Sequence, residues 1–213
     1  MKKLFSILLT LCLIIGLTAC SGGTSEEPAE PENEAAASEE QAEEIKEEGD
    51  NTDMSEKGTL VVYFSATGTT KGVAEKIAAV TGANTYEIKA AQKYTDADLD
   101  WHDSNSRTTH EQNDASARPE IGSEPVSLDG YSTIYIGYPI WWGEEPRIMD
   151  TFVEAYDFDG ITMIPFCTSG GSGIGRSGKN LEENAGSGTW LEGERLGSNA
   201  SEDELKSWIE GLK

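Results

Sequence analysis

The sequence predicts an α/β fold, with a doubly wound sheet of five parallel strands and helices on both faces of the sheet. Two observations lead to this prediction. From residue 58 onward, short apolar runs rich in Val, Ile and Tyr alternate with segments whose apolar residues recur every three or four positions. The alternation continues to the end of the chain, and alternating strands and helices are typical of parallel sheets.

The elements follow in a regular order. Residues 59–64 form a β-rich apolar run, as expected for a strand that is buried on both faces. Further strands are predicted at residues 84–88, 132–138, 162–167 and 190–196, and helices at residues 71–81, 146–156, 177–184 and 202–212. Ser201 and Glu204 form a capping box that begins the last helix. Residues 90–126 are the exception, being polar, and we expect a short helix at residues 96–101 within an irregular lid.

The charge of the chain excludes one class of partner. Among 213 residues there are 39 acidic and 16 basic side chains, which gives a formal net charge of −23. Residues 57–213 hold 25 of the acids and 13 of the bases. Such a surface repels phosphates, so nucleic acid is excluded as a partner, and a small ligand or a basic protein is favoured.

The first twenty residues predict export and a lipid anchor. Two lysines precede an apolar run at residues 4–16, which is too short to span a bilayer. Residues 17–20, Leu-Thr-Ala-Cys, resemble the lipobox of bacterial lipoproteins. The resemblance implies that residues 1–19 are a signal peptide and that Cys20 carries diacylglycerol on the outer face of the cytoplasmic membrane. The alternative is an ordinary secretory signal, which would leave Cys20 as a free thiol.

Residues 20–57 are predicted to be a disordered acidic tether between this lipid and a domain at residues 58–213. Residues 21–56 contain 14 acidic side chains, the single base Lys46 and no aromatic residue. Such a segment cannot bury enough apolar area to fold, and as a flexible coil it would span about 30–35 Å. Binding of Ca²⁺ or a basic partner by the acidic run is the alternative to a simple spacer.

The remaining cysteine and the histidines do not suggest a chemical site. Cys167 ends an apolar run, so we expect a buried thiol without an intrachain disulfide partner. His102 and His110 lie eight residues apart in the polar segment, and a metal site requires tighter spacing and further ligands. We therefore expect both histidines to be solvated, and no metal site.

Three loops follow the carboxyl ends of predicted strands, where doubly wound sheets bind their ligands. The first, residues 65–70, offers four hydroxyl side chains, no Lys or Arg, and a following helix N-terminus. This combination suits a phosphate monoester that is held by neutral donors and the helix dipole. The alternative is that Thr69 or Thr70 simply caps the helix.

The second and third loops suit a planar ligand. Residues 138–146 contain Trp141 and Trp142, which cannot both point into the core, so at least one should form an exposed or ligand-covered aromatic wall. Residues 168–175 contain four glycines, which allow a ligand to approach the backbone closely.

Together these loops resemble those of the flavodoxin family. Residues 65–70, with the pattern Ser-x-Thr-Gly-x-Thr, resemble its phosphate loop for flavin mononucleotide (FMN). Residues 139–143 and 168–175 resemble the two loops that flank the isoalloxazine ring. The resemblance covers residues 59–213 and implies a flavodoxin-like fold with FMN as cofactor. It also implies that the peptide at Gly143 turns to accept a hydrogen bond from N5 of the reduced flavin.

The resemblance implies FMN contacts from all three loops. The expected contacts are Ser65, Ala66, Thr67, Gly68, Thr69 and Thr70 in the first loop, Pro139, Ile140, Trp141, Trp142, Gly143 and Glu144 in the second, and Thr168, Ser169, Gly170, Gly171, Ser172 and Gly173 in the third. The family often has an aromatic residue in the third loop, and this sequence has none there. The ring is therefore expected to be open on that side, or covered by residues 90–126.

Three functions are compatible with these residues. The first is an FMN electron carrier that docks on redox proteins, either membrane-bound or with basic surfaces. The second is an FMN-dependent enzyme that takes hydride from NAD(P)H and reduces quinones or similar acceptors. The third is a non-redox module that binds another phosphorylated ligand. The sequence has no recognisable nicotinamide site, which favours the carrier over the enzyme.

Overall fold

The computed structural model describes residues 58–212. The predicted signal peptide at residues 1–19, the lipidated Cys20 and the tether at residues 20–57 lie outside the described residues. Within the described part of the chain, no helix is both long and apolar enough to cross a membrane.

A central parallel sheet forms the fold. Its strands are β1 (Gly58–Phe64), β2 (Asn84–Ile88), β3 (Tyr131–Pro139), β4 (Thr162–Thr168), β5 (Thr189–Trp190) and β6 (Glu194–Arg195). The strand order is β2-β1-β3-β4-β5, with β6 also paired to β4, and all these pairings are parallel. The chain leaves β1 for β2 on one side and returns to β3 on the other, so the topological switch point lies between β1 and β3. The predicted doubly wound α/β fold is confirmed.

Helices cover both faces of the sheet. They are α1 (Thr69–Thr81), α2 (Arg107–Asn113), α3 (Arg147–Val153), α4 (Ser177–Ala185) and α5 (Glu202–Gly211). Along β1, Val61 and Tyr63 belong to the buried cluster that contains residues of α1 and α5, whereas Leu60 and Val62 belong to the cluster that contains residues of α3 and α4. The strand is therefore buried on both faces, as its apolar run predicts. The capping box before α5 is also confirmed.

The prediction of one continuous fifth strand at residues 190–196 is wrong. The structure contains two short segments instead, β5 and β6, and residues 191–193 between them leave the ladder. The carbonyls of Met163 and Cys167 each accept a hydrogen bond from this edge, so Pro165, midway between them, faces the same edge. Proline has no N–H to donate, and the ladder is interrupted at that point.

The prediction of a short helix at residues 96–101 is also wrong. That stretch consists of turns, and the helix of the polar segment is α2, which begins several residues later. Asp98, Asp100 and Asp103 each accept a hydrogen bond from a backbone N–H two or three residues away. Such local bonds compete with helical ones. Ser106 then caps α2 with its hydroxyl oxygen, which accepts a hydrogen bond from the backbone N–H of the third helical residue.

Candidate functional site

The three loops that were predicted to bind a ligand meet at the carboxyl ends of β1, β3 and β4. A cavity of about 400 Å³ lies between them. Its lining includes Thr67 from the first loop, Ile140, Trp141 and Trp142 from the second, and Gly170 from the third. The structure therefore brings the three loops together around one space.

The other predicted contacts lie in the same loops but do not line this cavity. They are Ser65, Ala66, Gly68, Thr69, Thr70, Pro139, Gly143, Glu144, Thr168, Ser169, Gly171, Ser172 and Gly173. Ser65 and Ala66 line a neighbouring cavity of about 300 Å³ between the ends of β1 and β2. The predicted contacts thus belong to three loops, and five of them line the central cavity directly.

The first loop leaves the start of α1 open. Gly68 is the N-cap residue with a φ of 90°, and no described side chain caps the helix. Capping by Thr69 or Thr70, the alternative explanation for these hydroxyls, is therefore wrong. The Ser65 hydroxyl accepts a hydrogen bond of 3.1 Å from the Gly68 N–H, which folds the loop back on itself. The free N–H groups of the first helical turn are an anion-binding arrangement.

The three threonine hydroxyls of this loop divide into two kinds. Those of Thr67 and Thr69 are exposed and lie 3.4 Å apart. That of Thr70 is buried and lies 2.9 Å from the buried hydroxyl of Thr168, so this pair joins the first loop to the third. Thr67 and Thr69 are therefore the accessible donors, and Thr70 mainly fixes the relative position of two loops.

The second loop is a tight turn with tryptophan at its tip. Trp141 and Glu144 exchange backbone hydrogen bonds of 2.9 and 3.0 Å. Between them Trp142 and Gly143 have φ values of 50° and 87°, which is the pattern of a type I′ turn. Gly143 adopts this conformation readily, whereas a tryptophan rarely does, and such strain is concentrated at functional sites.

The two tryptophans have different environments. Trp142 is 45% exposed at the tip of the turn. Trp141 is half-buried, and its ring contacts the rings of Phe64 and Tyr94 edge-on at centroid distances of 5.6 and 5.2 Å. The prediction that at least one of the pair forms an exposed wall is confirmed, and Trp142 is that residue.

The third loop presents backbone to the cavity region. A Cβ atom added to Gly170, Gly171 or Gly173 would have no neighbour within 4 Å among the described residues. Packing within the described domain therefore does not require these glycines, and the space in front of them is open to a ligand. The Ser169 hydroxyl donates to the Ser172 carbonyl and accepts a hydrogen bond from the Gly171 N–H, which holds the loop in shape.

Three residues of the polar segment complete the cavity, and sequence reasoning did not single them out. They are Leu99, Trp101 and Thr108. Trp101 is 69% exposed, and the centroid of its ring lies 3.4 Å from the centroid of the His102 ring. His102 and His110 are both exposed, as predicted. A tryptophan within a polar, Asp-rich stretch was the available signal. Of the two arrangements left open for residues 90–126, the structure favours the one in which they help to cover the ligand space.

Comparison with known proteins identifies the family. Residues 58–212 match the flavodoxin family model. The chain belongs to the flavodoxin family. Among solved structures, this flavodoxin is similar to flavoproteins from Bacteroides uniformis and Bacteroides eggerthii, at 49% and 44% identity and a TM-score of 0.69 in both cases. These similarities cover 72% and 73% of this chain and 97% of each relative.

A more distant flavoprotein shows the same fold. The Lactobacillus acidophilus flavoprotein, solved in complex with FMN, is 24% identical with a TM-score of 0.56. This similarity covers 72% of this chain and 99% of that one. No curated protein matches the chain.

In this flavodoxin a buried charged cluster lies beneath the aromatic turn. Glu145 follows the turn directly, and Arg147 and Asp150 lie in the first turn of α3. All three are buried, although a Glu-Glu-Pro sequence after a loop suggests surface residues. Burial raises the pKa of Glu145 to about 7. Elsewhere, burial raises the pKa of the Cys167 thiol to about 12, and the prediction that this thiol is buried is confirmed.

Proposed function

We propose that this flavodoxin binds FMN and carries electrons at the outer face of the cytoplasmic membrane, where a lipid on Cys20 holds it. The observation that carries the proposal is the convergence of three loops on one cavity beside an uncapped helix N-terminus. FMN has two parts that need different surroundings, a phosphate and a planar aromatic ring. The site provides both.

The phosphate part suits the first loop. The free N–H groups at the start of α1 and the exposed hydroxyls of Thr67 and Thr69 are neutral donors that converge near one point. Charge-assisted hydrogen bonds to a phosphate are stronger than neutral ones, so a loop without Lys or Arg can still bind a dianion.

The ring part suits the space between the second and third loops. Trp142 and Trp101 supply exposed aromatic surface on the cavity wall, and the glycines of the third loop leave its backbone accessible. Aromatic rings stack favourably on other planar rings, and the cavity volume of about 400 Å³ is in the range of small-molecule sites. A flavin bound there would supply one-electron chemistry, which amino-acid side chains alone do not.

The surface around the site supports a basic protein partner. Acidic side chains outnumber basic ones in the domain, and several Asp residues lie in the same segment as Trp101. An acidic surface beside an exposed redox centre attracts and orients a basic partner, which raises the rate of encounter.

The direct experiment is titration of the apoprotein with FMN and with riboflavin, followed by flavin absorbance and fluorescence. We expect tight binding of FMN and weaker binding of riboflavin, because only FMN carries the phosphate. Absence of binding would contradict the proposal. Oxidation of NADH or NADPH by the FMN-loaded protein alone would contradict a pure carrier role and support the oxidoreductase instead.

A further inference from the structure

The buried cluster beneath the aromatic turn contains two carboxylates and one guanidinium. Glu145 and Asp150 are each 1% exposed. Arg147 Nη1 lies 3.6 Å from Glu145 Oε1 and 3.6 Å from Asp150 Oδ2. With both carboxylates ionised, these three side chains carry a net buried charge of −1. One bound proton makes them neutral, and a neutral group is far less costly to bury.

Only some of the polar atoms in and next to this cluster have hydrogen-bond partners. Asn180 Nδ2 donates to both oxygens of Glu145 at 3.2 Å, and Asn184 Nδ2 donates to Asp150 at 3.0 Å. Two buried atoms, Arg147 Nε and Gln112 Oε1, have no hydrogen-bond partner among the described residues. The ionised cluster therefore lacks a complete set of hydrogen-bond partners, and unpaired buried polar atoms are costly.

The charged and titratable groups around Glu145 come from its own segment, from α3 and from β3. They are Glu144 and Arg147 in its own segment, Asp150 on α3, Tyr138 on β3, and, one step further, Arg118 beside Asp150 and Asp114 beside Arg147. The neighbours from α2 and α4, Gln112 and Asn180, are neutral. Burial and the charge of Asp150 raise the pKa of Glu145 to about 7, and the attraction of Arg147 offsets them only in part.

Gln112 connects this cluster to the turn. Its Nε2 donates to the carbonyl oxygens of Trp141 and Glu145, at 3.1 Å each. Its own backbone carbonyl accepts a hydrogen bond of 3.2 Å from Arg147 Nη2, which also donates to Glu144 Oε2 at 2.8 Å. The two residues that close the turn, Trp141 and Glu144, are therefore each bonded to a member of the cluster or to its neighbour.

We propose that the cluster of Glu145, Arg147 and Asp150 is a proton-binding site linked to ligand binding on the turn, with Glu145 as a positioning residue. The inference rests on the proposed function for its ligand, FMN. A flavin ring beside the turn would exclude water above the cluster, and the phosphate would bring negative charge to the neighbouring first loop. Both effects favour the protonated carboxyl. Binding therefore transfers a proton from solvent to the Glu145 carboxylate, and no bond in the ligand changes.

The linkage between proton binding and FMN binding determines how FMN affinity depends on pH. Because the bound state holds the proton more tightly than the free state, FMN affinity falls as pH rises through 7. Each unit by which the ligand raises the pKa of the cluster corresponds to about a tenfold loss of affinity across the transition. Glu145→Gln removes the titrating group, so above about pH 7, where the FMN phosphate is already mostly a dianion, its affinity should vary much less with pH.

Calorimetry measures the proton directly. FMN is titrated into the apoprotein in two buffers that differ in ionisation enthalpy, at about pH 5.5 and about pH 7.5. The phosphate of FMN is mostly a dianion at the higher pH, so its own titration contributes little there. For the natural protein we expect a fractional proton uptake at the higher pH. At the lower pH the cluster is already protonated, so the natural protein and Glu145→Gln should show the same proton release, which comes from the FMN phosphate. Glu145→Gln should show no uptake at either pH, and the exposed Glu183→Gln on α4 should behave as the natural protein.

Each outcome distinguishes this inference from the proposed function. Equal proton uptake by the natural protein and by Glu145→Gln overturns the proton site while leaving FMN binding intact. Absence of FMN binding at every pH overturns the proposed function and this inference with it. If Glu145→Gln does not fold, the natural protein decides alone, because absence of net proton uptake at about pH 7.5 overturns the proposal.

Discussion

Thr67 and Thr70 have different roles in the same loop, and this difference makes the phosphate site testable. Replacing the two accessible donors, Thr67 and Thr69, by Ala should lower FMN affinity at least tenfold, because a hydrogen bond to a charged group contributes roughly 1.5–3 kcal/mol. Riboflavin affinity should change little. Thr70→Ser is the matched control, since it keeps the hydroxyl that bonds Thr168. Equal weakening of FMN and riboflavin, measured by fluorescence titration, would show that the phosphate is not bound by this loop.

The raised pKa of Glu145 leads us to expect that the free energy of unfolding depends on pH in an unusual way. Its pKa is raised from the ordinary value of 4.5 to about 7 in the folded protein. Between these values the folded state binds more protons than the unfolded state, so the free energy of unfolding falls as pH rises from about 4.5 to 7. Relative to the natural protein, Glu145→Gln should gain about 2–4 kcal/mol of stability between about pH 5 and pH 8, as measured by urea unfolding. A difference that is constant with pH would contradict the buried ionisation.

At the scale of single residues, the sequence predicted what depends on local pattern. The hydroxyls of the first loop and the paired tryptophans are visible as residue types placed after strands. The burial of Glu145 was not predicted, because nothing in a Glu-Glu-Pro sequence shows which carboxylate is buried. That burial depends on Gln112 of α2 and Asn180 of α4, which are distant in sequence. Long-range packing of this kind has no local signal.

At the scale of elements, predictions succeeded where hydrophobic periodicity was strong. The first four strands and the helices that cover them were found because their apolar runs are long enough to show a period. The fifth strand failed because its pairing depends on Pro165 in a neighbouring strand. The helix predicted at residues 96–101 failed because Asp side chains bond the local backbone there, and that competition depends on conformation as well as composition.

The turn after β3 and the polar segment together form the aromatic wall, and fluorescence can assign each part. FMN binding should quench a large share of the tryptophan emission of the apoprotein, because the proposed position of the ring is beside Trp142 and Trp101, which line the cavity. Trp142→Phe and Trp101→Phe should each remove part of the quenchable signal. Trp190→Phe is the control, since Trp190 packs near Phe158, away from the cavity lining. Unchanged emission at saturating FMN would defeat the stacking arrangement.

At the scale of the whole molecule, the proposed anchor and tether determine where the protein acts, and the flavodoxin domain determines which reaction it supports. A flavodoxin that diffuses freely meets its partners in solution and requires no attachment. Outside the cell a released protein would be lost, whereas an acidic tether of the predicted length keeps the domain within a few tens of ångströms of the membrane. Confinement of this kind raises the effective concentration of the domain near membrane-bound partners without any new contact.

The substitution Cys20→Ala tests membrane attachment separately from FMN binding. Without the thiol no diacylglycerol can be attached, so the protein should leave washed membranes, because the lipid is the proposed attachment and the acidic tether has no affinity for an anionic surface. The domain at residues 58–213 is untouched, so FMN affinity should be unchanged. Electron delivery from membranes to external acceptors should fall, since the partners then meet at bulk concentration. Retention of the variant in washed membranes would contradict the anchor, and undiminished electron delivery by the released protein would contradict the advantage of tethering.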